Sequence, residues 1–254
     1  MVRGIKSSIK NMARRFGLEI KINDIKSRDD LRLVHFLNLF DIRLVLDVGA
    51  NIGQFAESLF EEGYNGRVVS FEALPEAHAE LSRAAEKFGS RWTVAPRMAL
   101  SDRAGEASFH VTATDTASSL FRPSDSFVSV SPQGQHVQTI KVPTARLDDM
   151  VEDLDLNGPG LFLKLDVQGG EPMVLSGAPK VLAASTGLMT EFSLVSLYED
   201  QPPSRDVLET IYAADFEVWD VFRGYRNPNT HRLNQVDLIC FKNIVIDGPS
   251  KESR

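Results

Sequence analysis

The sequence predicts an α/β fold in which a mostly parallel sheet carries helices on both faces. Two local patterns and the composition support this. From Arg43 onward, apolar strand-like runs alternate with helical runs in a β-α-β-α-β order, which requires crossovers and therefore a parallel sheet. Within that series, LVLDVGANIGQFAESL (residues 44–59) leads from an apolar strand through a glycine-punctuated turn into a helix, the local form of a ligand-holding sheet edge. The 254 residues are 43% hydrophobic and 25% charged, enough apolar material for one sizeable core with appendages.

The elements are expected in the following order. RLVLDV is a strand and IGQFAESLFEEG a helix closed by Gly63. GRVVSFEA is the second strand, and PEAHAELSRAAEKFG a helix with Pro75 in its first turn and Gly89 at its end. RWTVAPRMAL is the third strand. EASFHVTA and HVQTIKVPT alternate as an antiparallel hairpin around a long polar stretch, residues 114–135, of the kind used as a functional loop. ARLDDMVEDL is a helix, GLFLKLDV a strand and EPMVLSGAPKVLA a helix with Pro172 near its start. GLMTEFSL (strand), SRDVLETIYAADF (helix), FEVWDVF and VDLICFKN (strands) complete the series, with no internal repeat.

Charge and cysteine usage narrow the class. The net charge of −7 argues against a nucleic-acid partner, yet residues 1–26 hold seven Lys/Arg against Glu19 and Asp24, leaving −12 for the rest. Val2, Ile5, Ile9, Met12 and Phe16 recur at helical spacing, so residues 1–22 read as a basic amphipathic helix that packs on its own domain or meets an anionic membrane surface. Cys240 is the sole cysteine and lies in an apolar run, which fits a buried residue of an intracellular protein. No secretory segment and no membrane-spanning run is present.

The glycine turn discriminates between ligands. A dinucleotide turn wants G-x-G-x-x-G, whose middle glycine admits the pyrophosphate. Here the turn is Gly49-Ala50-Asn51-Ile52-Gly53, with Asn51 at that middle position. The strand also ends in Asp47, a carboxylate expected to face the ligand and to oppose phosphates. Glu72 closes the second strand, where a carboxylate takes both ribose hydroxyls of a nucleoside of either class. A nucleoside with a positive centre and an amino group, S-adenosylmethionine, suits the set. A nicotinamide-dependent oxidoreductase and a non-catalytic nucleoside-binding module are the other classes such a turn allows.

VLDVGANIGQFA followed by VVSFEALPEAHAEL resembles the nucleoside-binding half of class I methyltransferases. ALSDRAGEASFHV, SSLF, IKVPTARLDD, LFLKLDVQGGEPMVLSGA and MTEFSL narrow the resemblance to the FkbM-type methyltransferases, over roughly residues 40–245. The resemblance implies a Rossmann-like class I fold: a mostly parallel seven-stranded sheet whose last strand is antiparallel, here with an inserted antiparallel hairpin and an N-terminal helix. The organisation expected is a basic helical extension at 1–40, a methyltransferase domain at 41–245 and a disordered tail at 246–254. It further implies S-adenosylmethionine bound by Asp47, Gly49, Asn51 and Gly53 at the methionine end, by Glu72 at the ribose, by Ala73 and Leu74 beside it, by Leu100 and Ser101 near adenine, and by Asp166 at the sulfonium.

The reaction expected is O-methylation of a sugar hydroxyl in a glycolipid, glycoside or polysaccharide precursor; a polyketide or other small natural product is the alternative acceptor. A hydroxyl is a weak nucleophile and needs a base. Asp166 and Glu191, both at strand ends, are the catalytic candidates, and Lys164 shares the face of Asp166 and is expected to pair with a carboxylate. Glu171 reads as a helix-capping carboxylate, His110, His136 and His231 as ordinary strand or loop residues. Ser118, Ser119 and Tyr225 are expected to contact the acceptor. No dense acidic constellation demands a metal, so no metal ligand is assigned. The partners expected are a small-molecule or lipid-linked sugar acceptor, a peripheral membrane contact through residues 1–22 and a second copy of the chain, at a cytoplasmic location on the inner membrane face.

Overall fold

The strand Leu44–Val48 (β1) is buried at all five positions, as a central strand covered on both faces must be. The structure, a computed structural model, describes residues 25–151 and 160–242. The other strands are Arg67–Phe71 (β2), Trp92–Val94 (β3), Ala99–Leu100 (β4), Gly105–Thr112 (β5), His136–Ala145 (β6), Leu161–Leu165 (β7), Gly187–Ser193 (β8), Phe216–Arg223 (β9) and Gln235–Lys242 (β10). The helices are Asp29–Leu39 (α1), Gln54–Glu61 (α2), Pro75–Glu86 (α3), Asp125–Val130 (α4), Leu147–Met150 (α5), Glu171–Ser176 (α6), Pro179–Ala184 (α7) and Ser204–Ala213 (α8).

Seven strands form one sheet in the order β3-β2-β1-β7-β8-β10-β9. The pairs β1–β2, β2–β3, β1–β7 and β7–β8 are parallel, whereas β10 runs antiparallel to both β8 and β9. This is the seven-stranded class I arrangement. One face carries Leu46, Leu163, Leu188 and Leu238 against Leu175, Val181 and Ile211 of α6, α7 and α8. The other carries Val45, Phe162, Ile239 and Phe241 against Leu33 and Leu37 of α1, Leu59 of α2 and Leu81 of α3. Alternate residues of each strand thus enter opposite cores.

Helix α1 belongs to this core although it precedes residue 41, and Arg32 ties it to the sheet edge by pairing with Asp220 and lying 4.8 Å over the Phe222 ring. The basic helix expected at 1–22 and the tail at 246–254 lie outside the described residues. Among the described residues no helix is long and apolar enough to cross a membrane.

Two elements differ from the sequence expectation. The run 91–100 is not one strand: β3 ends at Val94, Pro96 interrupts the ladder, and Ala99–Leu100 joins a second sheet of order β4-β6-β5. The helical run 171–183 breaks into α6 and α7 at Gly177-Ala178-Pro179, where a Cβ on Gly177 would strike the Ser101 carbonyl. The expected helix at 145–154 is seen at Leu147–Met150, its later residues lying outside the described part. The inserted hairpin β5–β6 packs Phe109 and Val142 on Ala73, Leu74 and Ala77. It therefore closes over the ends of β1 and β2, the edge where ligands gather in such sheets.

Candidate active site

The turn after β1 is shaped by three left-handed residues, Gly49 (φ 75°), Asn51 (φ 50°) and Gly53 (φ 100°). A Cβ on Gly49 would run into the Asp166 carbonyl, so glycine is what lets the ends of β1 and β7 approach. Asn51 tolerates the conformation, and its Oδ1 accepts the Ile52 N–H at 2.8 Å. The Glu72 carboxylate closes the turn from the neighbouring strand: Oε2 accepts the Asn51 N–H, and Oε1 accepts those of Ala73 and Leu74, each at 2.8 Å. Burial pushes the Glu72 carboxyl above its ordinary range, and the three N–H donors oppose that rise.

A cavity of about 280 Å³ opens beside this turn. Gly49, Asn51 and Glu72 form one side, Ala73, Leu74, Met98, Leu100 and Phe109 an apolar wall, and Lys164, Asp166, Gln168 and Asp237 the floor. Ser118 also reaches it, with Oγ accepting the Thr112 N–H at 3.0 Å.

Beneath the floor lies a buried ion pair. Lys164 Nζ stands 3.0 Å from Asp47 Oδ1, 3.8 Å from an Asp166 oxygen, and donates to the Gly49 carbonyl at 3.1 Å. The other Asp47 oxygen accepts from Ser70 Oγ at 3.1 Å, and Ser70 in turn accepts from the Trp92 indole at 2.9 Å. The Asp47 and Asp166 carboxylates outweigh burial and hold the Lys164 ammonium above its ordinary range, so it stays charged.

Above it, Gln168 (φ 55°) connects the carboxylates. Its Nε2 donates to Asp166 Oδ1 at 2.8 Å and to Glu191 Oε1 at 3.2 Å, and its Oε1 accepts the Tyr198 hydroxyl at 2.8 Å. The second Glu191 oxygen accepts from Gln235 at 2.7 Å. Burial and the neighbouring carboxylates push Glu191 well above the ordinary range. Glu171 Oε1 accepts the N–H groups of Val167 (3.0 Å) and Gly169 (3.3 Å), and burial raises this carboxyl to about 7. Its place at the start of α6 fits the capping role expected of it.

Of the residues singled out in the sequence, Gly49, Asn51, Glu72, Ala73, Leu74, Leu100, Ser118 and Asp166 line the cavity together. Six others do not. Asp47 is fully buried, pairs with Lys164 and does not line the cavity. Gly53 packs on Trp92, where a Cβ would collide with the indole. Ser101 is buried and its hydroxyl turns to Asp102 at 3.1 Å. Ser119 fastens the insert to the strand end, donating to the Gln168 carbonyl at 2.7 Å. Glu191 reaches the floor only through Gln168. Tyr225 packs in an aromatic cluster, edge-on to Phe127 at 5.5 Å. Lys164 pairs with a carboxylate as expected, though chiefly with Asp47. The sequence reading missed Asp237, Gln168 and Phe109. A carboxylate inside an apolar strand was the available signal for Asp237 in VDLICF.

The cavity fits a nucleoside with a cationic centre better than a dinucleotide. The Asn51 N–H that a pyrophosphate would need is taken by Glu72, the one lysine on the floor is neutralised from below, and carboxylates dominate the rest. The fold and site define a class I, S-adenosylmethionine-dependent methyltransferase. The methyltransferase FkbM domain model matches residues 47–236, and the chain belongs to that family. It is similar to 2-O-methyltransferase NoeI of Sinorhizobium fredii (strain NBRC 101917 / NGR234), 30% identical over 176 residues that make up 66% of this chain and 70% of that protein. Among solved structures it is similar to an rRNA methylase from Streptococcus thermophilus (12% identity, TM-score 0.46, covering 88% of this chain and 99% of that one). Another is Sp1610 of Streptococcus pneumoniae, described as a putative tRNA (m1A22) methyltransferase in complex with S-adenosyl-L-methionine (12%, 0.47, 85% and 72%). Both structural likenesses are distant. Family membership sets aside the oxidoreductase and non-catalytic readings.

Proposed function

We propose that the protein is an O-methyltransferase acting on a hydroxyl of a sugar, in a glycolipid, glycoside or polysaccharide precursor. The observation that carries this reading is the cavity floor. Asp166, Gln168 and Asp237 present hydrogen-bond acceptors and an amide, which suit the hydroxyls of a neutral polyol, and their surplus negative charge disfavours a phosphorylated or carboxylated acceptor. The similarity to a protein named as a 2-O-methyltransferase points the same way.

S-adenosylmethionine supplies a methyl group already activated on a sulfonium. The residues suited to hold it are Gly49 and Asn51 in the turn, Glu72 for the ribose hydroxyls, the apolar wall of Leu74, Leu100 and Phe109 for the base, and Asp166 for positive charge. The remaining work is alignment and exclusion of water. The hairpin that carries Phe109 supplies the cover, and the Ser119–Gln168 contact fixes it to the floor. Ser118 is left as the acceptor contact in the insert, which Ser119 fastens to the Gln168 carbonyl.

The test is transfer of labelled methyl from S-adenosylmethionine to three acceptor sets: methyl glycosides of neutral hexoses and deoxyhexoses, sugar phosphates, and phenolic or enolic hydroxyl compounds. Transfer to neutral glycosides is expected. Transfer confined to phenols or enols would overturn the sugar reading in favour of a polyketide-like product. The basic stretch 1–26, most of it outside the described residues, would bring the enzyme to a lipid-linked acceptor on an anionic surface.

A further inference from the structure

Six carboxylates gather where β1, β2, β7 and β8 end and β10 begins, and five of them have partners. Asp47 is held by Lys164 and Ser70, and Glu72 by three backbone N–H groups. Glu171 accepts two backbone N–H groups, and each oxygen of Glu191 accepts a side-chain amide. Asp166 accepts from Gln168 and faces Lys164. Asp237 is the exception. It lines the cavity and sits in register beside Glu191 on the antiparallel strand β10, and its carboxylate makes no hydrogen bond or ion pair among the described residues. A carboxylate that is largely buried yet open to the cavity and unpartnered has its lone pairs directed to whatever enters.

We propose that Asp237 is the general base of the transfer, accepting the proton of the acceptor hydroxyl inside the cavity. This rests on the O-methylation reading. The step balances as one displacement: the hydroxyl O–H bond breaks with its proton passing to an Asp237 carboxylate oxygen, the acceptor oxygen bonds to the methyl carbon, and the carbon–sulfur bond breaks with its electron pair remaining on sulfur. No other co-reactant is needed.

The surroundings suit the task. Burial, reinforced by Asp166 and opposed by Lys164, holds the Asp237 carboxyl at about 7, where a base is half ready at neutral pH. The charged groups facing it are Lys164 on β7, Asp166 just after it, Glu191 on β8 and Asp29 on α1, while its neighbour on β9 is Phe222. Asp166 and Glu191 are less suited to the same role, because the Gln168 amide engages both and Glu191 is sealed off further by Gln235.

The experiment compares the full chain with Asp237→Asn and Asp166→Asn in three measurements. Calorimetric binding of S-adenosylhomocysteine checks that Asp237→Asn folds; it should bind within about threefold of wild type, because the groups suited to the nucleoside are intact. Methyl transfer to the neutral methyl glycosides is followed from about pH 5.5 to about pH 9; wild type should gain rate through a midpoint near 7, and Asp237→Asn should lose that limb and about 10²–10⁴-fold in kcat. Carbon NMR of labelled aspartate carboxyls should show one group titrating near 7 in wild type and missing in Asp237→Asn. A rate within threefold of wild type for Asp237→Asn, or loss of the limb in Asp166→Asn alone, overturns the assignment. If wild type methylates none of the glycosides, the sugar reading fails separately and the NMR titration decides. A group near 7 that moves when S-adenosylhomocysteine binds supports Asp237, whereas complete titration below about pH 5, the ordinary aspartate range, overturns it.

Discussion

Lys164→Met tests the buried charge network on which the site stands. The substitution keeps the volume of the stem but removes the partner 3.0 Å from Asp47 and the donor to the Gly49 carbonyl. Both side chains are buried, 6% exposed for Lys164 and 0% for Asp47, so solvent does not replace the lost partner. Breaking such a pair from one side costs about 3–5 kcal/mol. The variant has one escape, to keep Asp47 protonated, which costs about 1.36 kcal/mol for each pH unit above an unfolded aspartate value near 3.9. That ceiling is about 5 kcal/mol at pH 7.5 and about 2 kcal/mol at pH 5.5. Urea unfolding should therefore show a deficit of about 3–5 kcal/mol at the higher pH, a loss of roughly 10 °C in Tm, shrinking to about 2 kcal/mol or less at the lower. Asp47→Asn combined with Lys164→Met should be less destabilised than the two single variants summed, by at least about 2 kcal/mol. A deficit under about 1 kcal/mol at pH 7.5, or one that ignores pH, would refute the reasoning.

Four further outcomes are expected. Glu72→Gln keeps one amide oxygen for the turn but replaces the other acceptor with a donor opposite the Asn51 N–H; S-adenosylhomocysteine binding should weaken at least about tenfold, read by calorimetry. Gly49→Ala drives a methyl into the Asp166 carbonyl and strains a left-handed residue, so binding should be lost with a fall of several kcal/mol in stability. Glu171→Gln retains an amide oxygen for Val167 and Gly169. Because burial raises the wild-type carboxyl to about 7, its stabilising proton is present below about 4.5 and is lost as pH rises through 7. The variant should therefore gain on wild type between pH 5 and pH 8, by up to about 3 kcal/mol in urea unfolding. Finally, the full chain should sediment with vesicles rich in phosphatidylglycerol at low salt, and charge reversal at Lys10, Arg14 and Arg15 should abolish this.

The strands, the glycine turn, Glu72 and Asp166 were legible because each is written locally: apolar runs, left-handed glycines and a carboxylate where a run stops. What needed register was not legible. Asp47 reads as a ligand-facing acid in LVLDV until β1 pairs with β7 and sets it opposite Lys164. Ser119 and Tyr225 look like exposed recognition residues in polar loops, yet Ser119 is buried with its hydroxyl on the Gln168 carbonyl and Tyr225 packs half-buried against Phe127 of α4. The run 91–100 reads as one strand although it holds Pro96, and the destination of Ala99–Leu100 depends on pairing with Thr144 and Ala145. Asp237 needed both kinds of information, an acid within an apolar strand and the reversal of β10, which brings the start of that strand to the ligand edge beside Glu191.

The devices that neutralise this crowd of carboxylates also divide their roles. Asp47 is matched by a cation it can never leave, so it serves the fold and the position of Lys164. Glu72 and Glu171 are held by backbone N–H groups, which fix the two turns on either side of the cavity without adding positive charge to it. Asp166 and Glu191 share one amide, so any shift of Gln168 moves both. Burial without a partner leaves Asp237 with an unmet demand for a proton or a cation. Such a floor is hostile to pyrophosphate and to anionic acceptors, and it is complementary to a sulfonium and a neutral hydroxyl. Burial is thus the main cause that keeps the Asp237 carboxyl poised near neutral pH, and the negative charge of Asp166 on the same floor reinforces it.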